Sequence, residues 1–286
     1  MKTRNLFKSI VVLLALSLIG CNKEEQEEQN NSNTTGQFTT EEFNANAKMD
    51  DISNDISEIA EDQLNAQNTA RAESYQSILP NCATVTTTVE GNTWTRIIDF
   101  GTTGCTYHNG AILKGQIIIS GSTDFHQSPY VWTYSFHSFY YDNILVQGTK
   151  TLSRTVQATD ALATPHPVVG IDLDLDITLP NGNTYSRTGT RTRELIEGYD
   201  TPLIFHDNVY RITGNWATTG TNHSYTSTIT TPLRVEIACL YKLVSGVITI
   251  NRNEHTAVLN YGNGHCDNNA TISIDGGTPH TFTFRN

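Results

Sequence analysis

The chain holds 286 residues with 29 acidic and 18 basic side chains, a net charge of -11. That balance excludes nucleic-acid backbones as partners, because phosphate binding demands a basic footprint. Residues 22–79 concentrate the acidity, with 13 acidic against 3 basic side chains, and the rest of the chain is long enough for one large core.

Residues 1–20 read as a signal peptide. Lys2, Arg4 and Lys8 precede an apolar run from Ile10 to Ile19, the charge-then-hydrophobe order of an export signal, and that run is too short to span a bilayer. It ends in Leu18-Ile19-Gly20-Cys21, which resembles the lipobox of bacterial lipoproteins. The resemblance implies that Cys21 carries a diacylglyceryl thioether and an N-acyl chain such as palmitate, enough to hold a protein stably on a membrane. The following patch, Asn22-Lys23-Glu24-Glu25-Gln26-Glu27-Glu28, is similar to the signal that sends lipoproteins of flavobacteria-like bacteria to the outer face of the outer membrane. A solvated spacer that leaves the protein on the periplasmic face is the alternative.

Residues 21–38 are otherwise mostly Glu, Gln, Asn, Ser and Thr with almost no hydrophobe, a composition that cannot offset its ordering entropy and is expected to be a disordered acidic tether. Such a coil reaches on the order of 20 Å, and about 50 Å at full stretch. In residues 39–79, Thr39 or Thr40 can cap a helix, Glu41 and Glu42 suit its first turn, and Phe43, Met49, Ile52, Ile56, Ile59 and Leu64 follow helical spacing. One amphipathic helix over roughly 40–77 is expected. Its thin stripe leaves open whether it lies on a sheet or stands as a stalk.

Pro80 ends the helix, and residues 80–286 alternate Thr, Val, Ile, Tyr and Phe with polar residues between Gly and Asn breaks. This predicts an all-β domain: a large, mostly antiparallel, up-and-down sheet forming a curved sheet, sandwich or open barrel, one face buried and the other wet. One hairpin is explicit. Ile171, Leu173, Leu175, Ile177 and Leu179 alternate with Asp172, Asp174 and Asp176 before Pro180-Asn181-Gly182-Asn183. A two-residue type I′ turn at Asn181-Gly182 would set Asp176 opposite Arg187 and Asp172 opposite Arg191. Cross-strand ion pairs on a wet face are then favoured over a calcium site.

Apart from Cys21, four cysteines remain, Cys82, Cys105, Cys239 and Cys266, an even number for a compartment in which disulfides persist. Four cysteines allow three connectivities. Ile98-Asp99-Phe100-Gly101-Thr102-Thr103-Gly104-Cys105 echoes Leu259-Asn260-Tyr261-Gly262-Asn263-Gly264-His265-Cys266, and each motif follows an upstream cysteine by a similar interval. The echo favours Cys82 with Cys105 and Cys239 with Cys266; its rival is chance similarity in low-diversity β sequence. Together with the lipobox, the helical spacer, Gly189-Thr190-Arg191-Thr192-Arg193-Glu194 and Ile229-Thr230-Thr231-Pro232-Leu233-Arg234, the first motif resembles a group of uncharacterised lipoproteins from flavobacteria-like bacteria. The resemblance implies an address at the outer membrane and carries no activity.

The chain has no Gly-x-Ser-x-Gly, no His-Glu-x-x-His and no glycine-rich phosphate loop before a helix. Its nine histidines make no i, i+2 or i+4 pair for one metal. No catalytic residue, metal ligand or cofactor is therefore named. The row Tyr130, Trp132, Tyr134 and Phe136 shares one strand face and is either a stacking platform for sugar rings or core packing with bonded polar tips, with Trp94 and Trp216 as core anchors. The expected role is a non-catalytic β domain at the cell surface that binds a glycan or an envelope protein. An extracellular polymer hydrolase with a site drawn from distant strands, or a structural or adhesive envelope component, is the alternative; the latter predicts an apolar patch or an open sheet edge.

Overall fold

From Thr84 to Thr283 the alternating residues form one fourteen-stranded antiparallel sheet. The computed structural model describes residues 38, 40–68, 77–201, 204–220, 223–240 and 242–283, all within the unit Gly36–Asn286. The signal peptide, Cys21, the tether up to residue 37 and the 69–76 part of the helical segment lie outside these residues.

The helix α1 (Thr40–Asn68) precedes strands β1 (Thr84–Glu90), β2 (Thr93–Asp99), β3 (Cys105–Thr106), β4 (Ile112–Ser122), β5 (Tyr130–Tyr141), β6 (Ile144–Gln157) and β7 (His166–Thr178). Then come β8 (Thr184–Glu197), β9 (Val209–Gly220), β10 (Ser224–Glu236), β11 (Leu243–Arg252), β12 (His255–Asn263), β13 (Asn269–Ile274) and β14 (His280–Thr283). Neighbours in sequence are neighbours in the sheet, except that β3 pairs with β4 beside β2. The sheet is open: β1 and β14 are its two ends and are not paired with each other.

The sheet wraps α1. Met49, Ile52, Ile56, Ile59 and Leu64 join a core with residues of β2 to β8, whereas Phe43 and Ala47 join a second core built on β9 to β13. Ile52, Ile56, Ile59, Asp50, Asp55, Glu58 and Asp62 are all 0% exposed, so the helix is enclosed on its polar faces as well as its apolar one. The thin apolar stripe is tolerated because the buried acids Asp50, Asp55 and Glu58 are paired with Arg187, Arg191 and Lys242 of the sheet domain. Phe38, expected at the end of the tether, is buried instead. Its ring lies 5.4 Å from that of Phe43, five residues on, the spacing of a hydrophobic staple at a helix start.

Two glycines let the strands come close enough to curl. A Cβ on Gly148, which has φ +100°, would lie 2.2 Å from the carbonyl oxygen of Asp174, and one on Gly189 would lie 2.4 Å from that of Asn215. Neither position tolerates a side chain.

The hairpin of β7 and β8 differs from expectation by one residue. Leu175 pairs with Arg187 and Ile171 with Arg191, while Asp176 faces Ser186 and Asp172 faces Thr190. The reason is the turn. Gly182 donates its N–H to the Leu179 carbonyl and Leu179 donates to Asn183, so Pro180, Asn181 and Gly182 form a three-residue loop with Gly182 at φ +88°, the type I turn with a left-handed third residue. A one-residue slip exchanges the faces: Arg187, Arg191 and Arg193 point inward, and Asp172, Asp174 and Asp176 point to solvent. Each Asp→Asn change at 172, 174 or 176 is therefore expected to move stability by less than about 0.5 kcal/mol in urea unfolding. A loss above about 1 kcal/mol would mean that these acids have partners.

The cysteines are joined as Cys82–Cys105 and Cys239–Cys266, with Cα separations of 5.8 and 5.3 Å. These are the pairs that the repeated intervals favour, and each ties the cysteine that ends its motif to the cysteine upstream of it.

Candidate functional site

The residues expected to form a stacking platform are not a surface. Tyr130, Trp132 and Tyr134 are 5%, 1% and 0% exposed. They face α1 within the core of β2 to β8. Trp94 Nε1 donates to the Tyr130 hydroxyl at 2.8 Å, which donates to the Ser122 carbonyl at 2.7 Å, and the Tyr134 hydroxyl meets Ser57 Oγ at 3.3 Å. The core alternative describes them, with the tips of Tyr130 and Tyr134 bonded, whereas Trp132 Nε1 finds no hydrogen-bond partner among the described residues. Trp94 and Trp216 are core residues as expected.

The interior carries a second, ionic layer that joins helix to sheet. Asp50 Oδ1 accepts from Arg187 Nη1 at 2.7 Å and from Arg191 Nη2 at 2.5 Å, and Arg187 Nη2 donates to Asn46 at 2.6 Å. Glu61 accepts from Arg193 at 2.9 Å, and Glu42 accepts from both terminal nitrogens of Arg252. The guanidinium planes lie over aromatic rings, Arg191 4.0 Å from the ring centre of Trp216 and Arg193 3.5 Å from that of Tyr210, an arrangement suited to the weakly hydrated guanidinium.

A cavity of about 680 Å³ opens beside this layer, in the size range of small-ligand sites. The turn Ile204–His206 forms one wall, the β10–β11 connection from Ile237 to Leu240 a second, and Ser77, Ile78, His108 and Asn109 the rest, with Lys242 among its polar groups. Ile204 and Leu240 keep 54% and 62% of their surface exposed. The cavity thus offers apolar sides with a few hydrogen-bonding groups between them.

Those polar groups are fixed from behind by α1. Asp55, Glu58 and Asp62 follow helical spacing and face this end of the sheet. Lys242 Nζ donates to Glu58 Oε2 and, at 3.3 Å, to Asp55 Oδ1. Asp55 Oδ2 accepts from Asn109 Nδ2 at 2.6 Å and from the Tyr141 hydroxyl at 2.5 Å, and Ser77 Oγ donates to Asp62 at 2.6 Å. Burial acts to lower the pKa of Lys242, but Glu58 and Asp55 outweigh it and hold the ammonium above its ordinary range. Burial, reinforced by Asp55, raises Glu58 against the pull of Lys242.

Two carboxylates thus converge, but Asp55 and Glu58 both come from α1, whereas the hydrolase alternative requires them from separate strands. Both are fully buried and turned onto Lys242 and the polar groups behind the cavity wall. A second acid–base pair, His166 Nε2 to Glu194 Oε2 at 3.4 Å, is likewise sealed at 0% and 5% exposure. Burial works to raise Glu194, but hydrogen bonds from Thr159 and His166 and the charge of Arg211 bring it below its usual value; the pair pins the loop before β7 to the outer face of the sheet. Among the described residues, the three-ligand cluster suited to a metal is Glu236 with Cys239 and Cys266, and its sulfurs are joined in a disulfide.

Of the cavity residues, Cys239 was named from the sequence as a disulfide cysteine, and none was named as a ligand contact. Asp55, Glu58 and Asp62 carried a signal, an acidic face at helical spacing, whereas Asn109, Ile204 and Lys242 lie in loops or at strand ends with no periodicity. No protein-family model matches the chain, and no curated protein and no solved structure matches it either.

Proposed function

We propose that the chain is a lipid-anchored envelope protein, held through Cys21 at the outer membrane and facing the cell exterior. Its β domain binds, without catalysis, a ligand with an apolar body and a hydrogen-bonding head. The cavity between Ile204, Leu240 and Lys242 is the observation that carries this reading: ligand-sized, apolar on its sides, and polar where α1 pre-positions Ser77, Asn109 and Lys242. Pre-positioned groups lose little entropy on binding. The buried aromatic row removes the stacking surface that favoured glycans, and the engaged state of Asp55 and Glu58 favours binding over acid–base chemistry.

Calorimetric titration of the full chain with dodecanoate and with dodecanol tests this and reports which head the polar groups accept. Saturable binding of either should weaken about tenfold or more in Leu240→Glu, since burying a leucine side chain contributes about 1.5–3 kcal/mol. It should be unchanged in Val131→Glu, on the outer face of β5, where Val131 is 41% exposed. Equal affinity in both variants, or no saturable binding of either probe, would sink the reading.

A further inference from the structure

We propose that β1 pairs antiparallel with β1 of a second copy of this chain, centred on Thr87, joining two sheets edge to edge. Among the described residues β1 pairs only with β2, and all seven of its residues are exposed. An edge strand of this length is a template for another strand, and proteins usually block it with lysine, proline or a bulge. Here β1 contains no lysine, proline or glycine, and its seven-pair register with β2 is uninterrupted.

The sequence points to the identity of the partner. Val85-Thr86-Thr87-Thr88-Val89 reads the same in both directions. A two-fold contact requires such self-complementarity, because each position meets its own mirror position. Antiparallel pairing about Thr87 sets Val85 opposite Val89 of the other copy, Thr86 opposite Thr88, and Thr87 opposite itself, all matched β-branched pairs. Val85 and Val89 lie on the inward face, opposite the buried Ile98 and Trp94 of β2, yet remain 42% and 59% exposed. The pairing would cover each valine with its counterpart. At the other end of the sheet β14 spans four residues, His280–Thr283, and follows Pro279, so the contact closes as a dimer instead of propagating as a fibre.

The full chain, purified in detergent, tests this through two readouts. Directly opposed residues have Cα atoms about 4.5–5.5 Å apart, within reach of a disulfide. Thr87→Cys should therefore give an oxidised covalent dimer, whereas Asn92→Cys, in the adjoining turn, and the parent chain should not. In sedimentation, Val85→Lys/Val89→Lys should weaken the dimer about tenfold or more by opposing lysines. Val85→Lys/Val89→Glu should restore it, because each lysine then meets a glutamate of the other copy. Both double variants change exposed side chains, and near-ultraviolet circular dichroism verifies their fold. A parent chain that stays monomeric at every concentration overturns the proposal, as does cross-linking of Asn92→Cys as readily as Thr87→Cys, or equal behaviour of the two double variants.

Discussion

Asp50→Ala is expected to lower the unfolding free energy by about 3–5 kcal/mol, the cost of leaving a buried ion pair half made. One carboxylate oxygen holds both Arg187 and Arg191, and all three side chains are nearly sealed from water. Alanine would strand two guanidiniums among Trp216 and the strands of the sheet. Against a domain stability of about 5–15 kcal/mol, such a loss is a large fraction of the whole. Urea unfolding followed at the helical dichroism band measures it. Arg191→Met in the Asp50→Ala background should recover part of the loss, because groups that share one network are not additive. A loss under about 1 kcal/mol would mean that α1 is held by its isoleucines alone. The ionic layer also bears on the cavity: a helix loosened at Asp50 no longer presents Asp55, Glu58 and Asp62 to Lys242, Asn109 and Ser77, so Asp50→Ala should weaken ligand binding from a distance.

The sheet was legible because strand alternation is a local property. Tyr130 to Phe136 and Ile171 to Ile177 declare their inward positions residue by residue, and the up-and-down order follows from short connections between antiparallel neighbours. The register of β7 and β8 was not legible from the Asn181-Gly182 pair, since Pro180 at the first turn position selects the three-residue loop that moves every pairing by one. With that slip, an apparent wet-face row of acids and arginines separates into solvated aspartates and an inward arginine row. That inward row is what the acidic helix answers. Asp50 and Arg187 are 137 residues apart in sequence, and nothing local to either predicts the contact, although Arg187, Arg191 and Arg193 share one strand face with Tyr185. The cavity is less legible still, because its walls come from connections whose residues follow no period, and only α1 behind them repeats.

Lys150→Met is expected to stabilise the fold by about 1–4 kcal/mol at neutral pH, the range found when buried ionic groups are replaced by apolar ones of similar volume. Lys150 is 1% exposed and, unlike Lys242, meets no carboxylate among the described residues: Nζ donates to Ser53 Oγ at 2.7 Å, Ser53 O at 3.1 Å and Ser57 Oγ at 3.1 Å. Burial first, and then the positive charges of Arg191, Arg193 and Arg187, bring its pKa well below 10.5, with Glu61 opposing. Between the lowered folded value and the ordinary unfolded one, unfolding takes up a proton, so this lysine makes stability rise with pH across that window and level off above 10.5. The gain from methionine should therefore be full below the folded pKa, shrink through the window, and be smallest at the alkaline end. Adding Ser53→Ala removes the hydroxyl left without its donor and should retain or enlarge the gain, because deleting both partners of a buried hydrogen bond is nearly neutral. Urea midpoints of parent and variants at pH 6, 8 and 10 decide the matter. A Lys150→Met chain less stable than the parent at all three would show that the three hydrogen bonds to α1 outweigh the desolvation of the amine, and that Lys150 fastens the helix to the sheet.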